Sequence, residues 1–460
     1  MEQPCKLNLV PYAFNRKRLF PFAQRFGFQI QCVRDGECVF QVRRLAGDVR
    51  VFPLTPALDV ANHERNWSIM RARRKAVFIT NYSIKTNTYV NSPLSTLETP
   101  TLLLDRAKLD RNLARMRDKL AGHKVALRPH VKTAKSPDVV KRAVAPGKGG
   151  ITVSTLKEAE QFFAAGYRDI LYAVGIAPNK LEHVSALRAR GCDLKVILDN
   201  TEAAHAVAAK SVPALIEIDS DGHRAGVKPG DVRLLEMGRA LGPNLRGVMT
   251  HAGGSYDCKS VDEIRVYARR EREAVVQCAS ELKAAGLACD IVSVGSSPTA
   301  TYGESFAGVT EVRAGVYMLF DLFMAGIKVC SVDDIALSVL TTVIGHQPEK
   351  GWILTDAGWM ALSRDRGTAG QAVDQGYGVV CDVEGRPIDD CDLIVSGANQ
   401  EHGILSHRAG GSIAIEQYPI GRLLRVLPNH ACATAAQHQA YQVLGAGGEI
   451  EATWPRFGGW

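Results

Sequence analysis

Residues 150–166, GITVSTLKEAEQFFAAG, decide the fold class. Ile151–Val153 is a short apolar strand, Thr155 with Glu158 three residues on is a capping signature, and Gly166 stops the helix that follows. The same unit recurs on both sides. Upstream, TPTLLLD (Thr99–Asp105) is an apolar run, and the next segment puts Leu109, Leu113, Met116 and Leu120 on one helical face before Gly122. VALRPHVKT (Val125–Thr133) then reads as a strand. Downstream come DILYAV, LKVILD, ALIEID, LRGVMTH, DIVSVG and EVRAGVY, with Arg265–Gly286 the clearest helix between them.

Strands alternating with helices at this density imply parallel βαβ units. About eight such strands between Leu102 and Tyr317 fit the roughly 200–250 residues of a (β/α)8 barrel, ahead of a doubly wound open sheet. After Cys330 the pattern becomes short β-rich segments punctuated by Gly, Pro and Asp, such as GWILTDAG and DLIVSGANQEHGIL. That predicts an all-β second domain. The expected organisation is a basic, poorly ordered extension over 1–95, a barrel over 96–329 and a β-rich domain over 330–460.

The chain has 460 residues, 46% hydrophobic and 23% charged, an ordinary globular balance that excludes disorder as the main state. No apolar run is long enough for a membrane-spanning helix. The net charge of +8 is concentrated in the first 95 residues, which hold 15 Lys+Arg against 6 Asp+Glu and leave the rest at −1. The main body therefore has no basic excess to suggest nucleic-acid binding. The Arg-rich leader has the composition of a transit peptide, but reads more simply as an extension. Eleven cysteines form no CxxC pair, and no secretory h-region precedes them, so reduced thiols and a cytoplasmic address are expected.

In a parallel barrel, reactive side chains sit at the carboxyl ends of strands. Arg128, His130 and Lys132 alternate there and can share one face. A lysine desolvated at the inner mouth would be a nucleophile toward carbonyls, although a solvated surface lysine is the commoner role. His430 and Cys432 are two apart, and on a β-strand they would point to one side and could grip an ion with open coordination positions. Sulfur with imidazole favours zinc, while a buried thiol beside a satisfied histidine is the commoner origin of such a pair. Three Gly-rich turns, HAGGSY (251–256), VGSSPT (294–299) and RAGVY (313–317), offer amides and hydroxyls for a phosphate, or simply make βα loops. DSDGHRAG (219–226) presents Arg224, which could meet an anion or pair with an acid.

Taken in order, LETPTLLLD, RPHVKT, VSTLKEAE, DSDGHRAGV, HAGGSYD, VGSSPT, NQEHGIL and PNHACAT resemble the D-serine dehydratase and D-threonine aldolase family of lyases, which have an alanine-racemase-like barrel. The resemblance runs from about Leu97 to Trp460. It implies a (β/α)8 pyridoxal 5′-phosphate fold with a C-terminal β-rich domain, the cofactor held on Lys132 as a Schiff base. It also implies that Tyr256 contacts the cofactor, that Ser297 and the main chain of Gly315 and Val316 cradle the phosphate, and that Arg224 lies near the phenolic oxygen. The His430-x-Cys432 pattern resembles the zinc-using dehydratases, where aldolases carry His-x-Asp.

The implied activity is zinc-assisted loss of the β-hydroxyl from a D-3-hydroxy amino acid. D-Serine, giving pyruvate and ammonia, is placed first. Retro-aldol cleavage of D-threonine is the runner-up, followed by D-threo-3-hydroxyaspartate dehydration. A non-catalytic cofactor-binding barrel is the reading from a different class. Such two-domain proteins commonly pair as head-to-tail homodimers. Three positions depart from the family pattern: Ala134 stands where a second His is frequent, and Met249 and Gly254 where several members carry polar side chains.

Overall fold

The computed structural model describes residues 92–388 and 392–460, together with three short strands near the start, Leu7–Asn8, Gln29–Cys32 and Cys38–Gln41. Those three make a small antiparallel sheet within a unit spanning Met1–Thr88. The extension expected over 1–95 otherwise falls almost wholly outside the described residues.

The second unit, Tyr89–Trp460, holds both larger sheets. Its first strand, β1 (Thr101–Asp105), leads into helix α1 (Arg106–Gly122), which the Asp105 carboxylate caps by accepting the Lys108 N–H at 2.9 Å. Leu109, Leu113, Met116 and Leu120 are all at most 5% exposed, so each contributes about 1.5–3 kcal/mol of burial.

Eight parallel strands follow, β2 (Ala126–Pro129), β3 (Ile151–Val153), β4 (Asp169–Gly175), β5 (Asp193–Leu198), β6 (Ala214–Ile218), β7 (Leu245–Thr250), β8 (Ile291–Val294) and β9 (Glu311–Ala314). They pair in the order β2-β9-β8-β7-β6-β5-β4-β3, and a parallel bridge between His130 and Thr152 brings β2 back to β3. The barrel is therefore nearly closed. Outward residues such as Ile170, Val196 and Val248 join the main core with the helices, whereas inward Leu171, Ile197, Leu215 and Met249 form a cluster of their own. Toward the amino ends of the strands the barrel is charged: Arg128 donates to Glu311 at 2.7 Å and to Asp169 at 2.9 Å, and Lys195 reaches Asp169 at 3.0 Å.

The second domain is a nine-stranded sheet built on β10 (Leu337–Gln347), β11 (Trp352–Thr355), β12 (Gly378–Cys381), β13 (Leu393–Ala398), β14 (Gly403–His407), β15 (Leu423–Pro428), β16 (Ala440–Leu444) and β17 (Ile450–Pro455). Its ninth strand is β1, which pairs antiparallel with β10 and parallel with β16. The sequence counts Thr101–Asp105 with the barrel strands, and the structure corrects that. Leu102 and Leu104 face the main core, while Leu103 packs with Leu94, Leu340, Leu423 and Leu444. A strand buried on both faces reads like a barrel strand, whichever sheet receives it.

Candidate active site

The carboxyl ends of the barrel strands converge with one end of the β domain. Lys132 lies in the turn just after β2, one position beyond the buried Val131. Its side chain is exposed, the commoner of the two roles that the sequence left open. Arg128, which shares its face, is deep in the barrel and committed to Glu311 and Asp169.

Two histidines face this end. Burial, reinforced by Lys132, Arg313 and His251, holds His130 well below its ordinary range. His251 donates from Nδ1 to the Gly295 carbonyl at 2.8 Å, and burial still draws its pKa down to about 4. Both rings are neutral near pH 7. Tyr256 follows in the next turn, its ring between His251 and Phe323 at centroid distances of 6.0 and 6.3 Å. Burial, with the Cys432 thiol next in weight, raises the phenol's pKa, while the Ser297 N–H donates to its oxygen.

The Gly-rich turns are tied to one another. Ser297 opens helix α8 (Ser297–Tyr302), and its hydroxyl accepts the Tyr317 N–H at 3.2 Å, so VGSSPT and RAGVY meet. Gly315 lies against the start of the Lys132 turn: a Cβ there would stand 2.8 Å from the His130 carbonyl. Only glycine allows that approach. Val316 is buried beside it. Gly254 is filled from outside, since a Cβ would stand 2.7 Å from the Tyr267 ring.

Cys432 comes from the other domain. The sequence placed His430 and Cys432 on a strand, but β15 ends at Pro428. His430 precedes helix α11 (Ala431–Ala435), and Cys432 lies in its first turn. The two side chains still influence each other's protonation, so the turn keeps the convergence that a strand would give. His430 Nδ1 donates to Asp365 Oδ2 at 2.6 Å. Desolvation works to lower the His430 pKa, but Asp365 and Cys432 carry it up to about 11. For the thiol, burial works upward and is outweighed by His430 and Lys132, so its pKa falls. Thr133 Oγ1 stands 3.1 Å from Cys432 Sγ, one residue from Lys132.

This donor set suits a soft divalent metal. Asp365 orients the imidazole from Nδ1, and the thiol is biased toward thiolate. Among the described residues no cluster of three or more His, Cys, Asp or Glu converges, and the pair here is His430 with Cys432. The set also suits an aldehyde cofactor bearing a phosphate, with an exposed amine beside amide-rich turns that only a glycine lets close together.

Comparison with known proteins places this arrangement. The alanine racemase N-terminal domain model matches residues 104–322, and a serine dehydratase domain model matches residues 336–444. D-threo-3-hydroxyaspartate dehydratase of Delftia sp. (strain HT23) is 54% identical over 379 residues, covering 80% of this chain and 99% of that protein. The chain belongs to the D-serine dehydratase and D-threonine aldolase family. The solved structure of the Delftia enzyme superposes with a TM-score of 0.78 at 53% identity, over 80% of this chain and all (100%) of that one. D-serine dehydratase of Dictyostelium discoideum is 30% identical, over 78% of this chain and 96% of its own length. This is a family of lyases with an alanine-racemase-like fold, and the chain is one of them. No helix among the described residues is long and apolar enough to cross a membrane.

Of the residues that the sequence singles out, this lyase brings together Lys132, Tyr256, Ser297, Gly315, Val316, His430 and Cys432. The Arg224 side chain is 63% exposed, meets Glu217 at 3.9 Å and bears on His251 through its charge. The buried arginine at this end is Arg313, which donates to Ser293 Oγ and the Thr250 carbonyl. Asp365, Thr133 and Arg313 were not found by sequence reasoning. Asp365 lies 65 residues from His430 in an irregular segment, with no periodicity to mark it.

Proposed function

We propose that this lyase uses pyridoxal 5′-phosphate and zinc to eliminate the β-hydroxyl of a D-3-hydroxy amino acid, yielding a 2-oxo acid and ammonia. The carrying observation is the meeting of the Lys132 turn with the His430–Cys432 pair at one barrel mouth, through the Thr133–Cys432 contact. When bound, the cofactor supplies an electron sink for charge at the α-carbon, and zinc supplies a Lewis acid for the departing hydroxyl. Lys132 would hold the cofactor and accept the α-proton at Nζ. Tyr256, Ser297 and the main chain of Gly315 and Val316 would orient the cofactor. His430 and Cys432 would hold the metal.

For the substrate, the 54% identity with the Delftia enzyme supports D-threo-3-hydroxyaspartate ahead of D-serine, which the sequence alone placed first. The test is a coupled keto-acid assay on both substrates, with and without chelator, beside the absorbance spectrum. Expected are a visible cofactor band lost in Lys132→Ala, and keto-acid formation that chelation abolishes and zinc restores. Acetaldehyde from D-threonine without keto acid would move the reading to aldolase. No cofactor band after reconstitution would overturn it.

A further inference from the structure

Arg456 follows β17 and is 8% exposed. Its Nε donates to the Ala134 carbonyl at 3.2 Å and to the Tyr441 hydroxyl at 2.9 Å, and that hydroxyl donates to the same carbonyl at 2.8 Å. One terminal nitrogen reaches the Thr133 carbonyl at 3.4 Å. The other donates to the Ala435 carbonyl and to the His438 carbonyl at 3.0 Å. The next residue, Phe457, donates its N–H to the Lys135 carbonyl at 2.6 Å.

These partners have a pattern. Thr133 and Ala134 are the two residues after Lys132, and Ala435 ends the helix whose first turn holds Cys432. One guanidinium thus spans the lysine turn of the barrel and the cysteine helix of the β domain. Burying a cation among neutral acceptors is costly, and plain packing could be served by an apolar side chain. The geometry needs the fork: a lysine ammonium is a point donor and cannot face both carbonyl sets at once. The carboxyl end of the α11 backbone also favours a cation.

We propose that Arg456 is a positioning residue that fixes the Lys132 turn against the Cys432 helix. α-Proton removal and departure of the β-hydroxyl then act on one substrate molecule in one geometry. This rests on the proposed function above. Arg456 touches neither reacting group, so its loss separates the two steps and does not abolish both.

The test uses cofactor- and zinc-loaded wild type, Arg456→Lys and Arg456→Gln. It follows exchange of the substrate α-proton with deuterium by NMR, keto-acid formation, and zinc affinity by competition with a chromophoric chelator. In the variants, keto-acid formation is expected to fall by up to about 100-fold, the scale of an ångström's misplacement. α-Proton exchange falls far less, and zinc affinity weakens by about tenfold. Equal loss of exchange and elimination, or unchanged zinc affinity and ratio, overturns the proposal. Should the Arg456 variants not fold, Tyr441→Phe keeps the guanidinium and removes one hydroxyl of the same tie, and is expected to shift the ratio the same way. If the wild type forms no keto acid, the functional reading fails by itself. Zinc affinity and the Lys132 cofactor band then decide Arg456: both weakened in the variants supports the tie, both unchanged overturns it.

Discussion

Asp365 is a residue whose effect can be isolated. Its Oδ2 fixes His430 Nδ1, and its Oδ1 accepts the Gly367 N–H at 2.8 Å, so the carboxylate cannot swing away freely. Two residues earlier, Ser363 has φ 77°, a left-handed backbone that costs a non-glycine residue about 1–3 kcal/mol. That strain is held where it helps deliver Asp365. Asp365→Asn keeps the size and removes the charge behind the imidazole. Zinc affinity, measured by chelator competition, is expected to weaken by about 10–100-fold with the fold intact. At this scale the sequence was legible where residues that the fold brings together lie in short motifs, as for Lys132, Tyr256 and the His430–Cys432 pair. Asp365 and Arg313 were not legible, because what makes them matter is a partner far away in sequence. For Arg224 the sequence left anion binding and acid pairing open, and in the structure its nearest acid is Glu217 at 3.9 Å.

At the scale of elements, helix α7 (Val261–Ala284) holds two of the site's turns from behind. Glu271 is 2% exposed, and its Oε1 accepts the Ala252 N–H at 3.0 Å and the Gly295 N–H at 2.9 Å. Those amides begin the turns that carry Tyr256 and Ser297. Glu271→Ala leaves both donors buried without that acceptor, at about 1–3 kcal/mol each, readable by denaturant unfolding. Glu271→Gln keeps an acceptor and is expected to cost much less. Burial raises the Glu271 pKa, with Thr299 and the two amides opposing. A carboxyl with a raised folded pKa contributes its full stability below its unfolded value and loses it as pH rises through the folded value. The glutamine variant should therefore gain on the wild type as pH rises, and unfolding free energies of the two that stay parallel across pH would refute this. The helix was visible from its length and charge, and Glu271 falls at helical spacing with Ala268 and Val275 on the buried face, but the amides it serves lie 19 and 24 residues away and nothing local marks them. Strand β1 shows the same limit, because its burial on both faces is legible locally whereas its sheet partners, β10 and β16, lie more than two hundred residues on.

The whole molecule depends on how the chain crosses between domains. It starts in the β sheet with β1, enters the barrel region through α1, and returns through a short connection before β10. Asp334 sits on that return. Its carboxylate accepts from Arg115 of α1 at 2.7 Å and from the Ser331 N–H and hydroxyl, both at 2.9 Å, while its carbonyl accepts from Asn112 of α1 at 2.8 Å. The outgoing and returning crossings are thereby fastened to each other. Burial would raise the carboxyl's pKa, but Arg115 and Ser331 outweigh it and bring it from 3.8 to about 2. A depressed folded pKa means stability that is present above the unfolded value and lost as pH falls through the folded one. Asp334→Asn should therefore be less stable than the wild type above about pH 4, with the gap closing as pH falls from there toward 2. Arg115 is half exposed, so added salt should narrow the same gap at neutral pH. Chemical denaturation of both proteins across pH 2–7, at low and high salt, checks the two statements together. A gap that persists unchanged at pH 2 would mean that the charge of Asp334 contributes nothing to stability, and a gap that salt leaves unchanged would mean that the ionic link to α1 does not fasten the crossings.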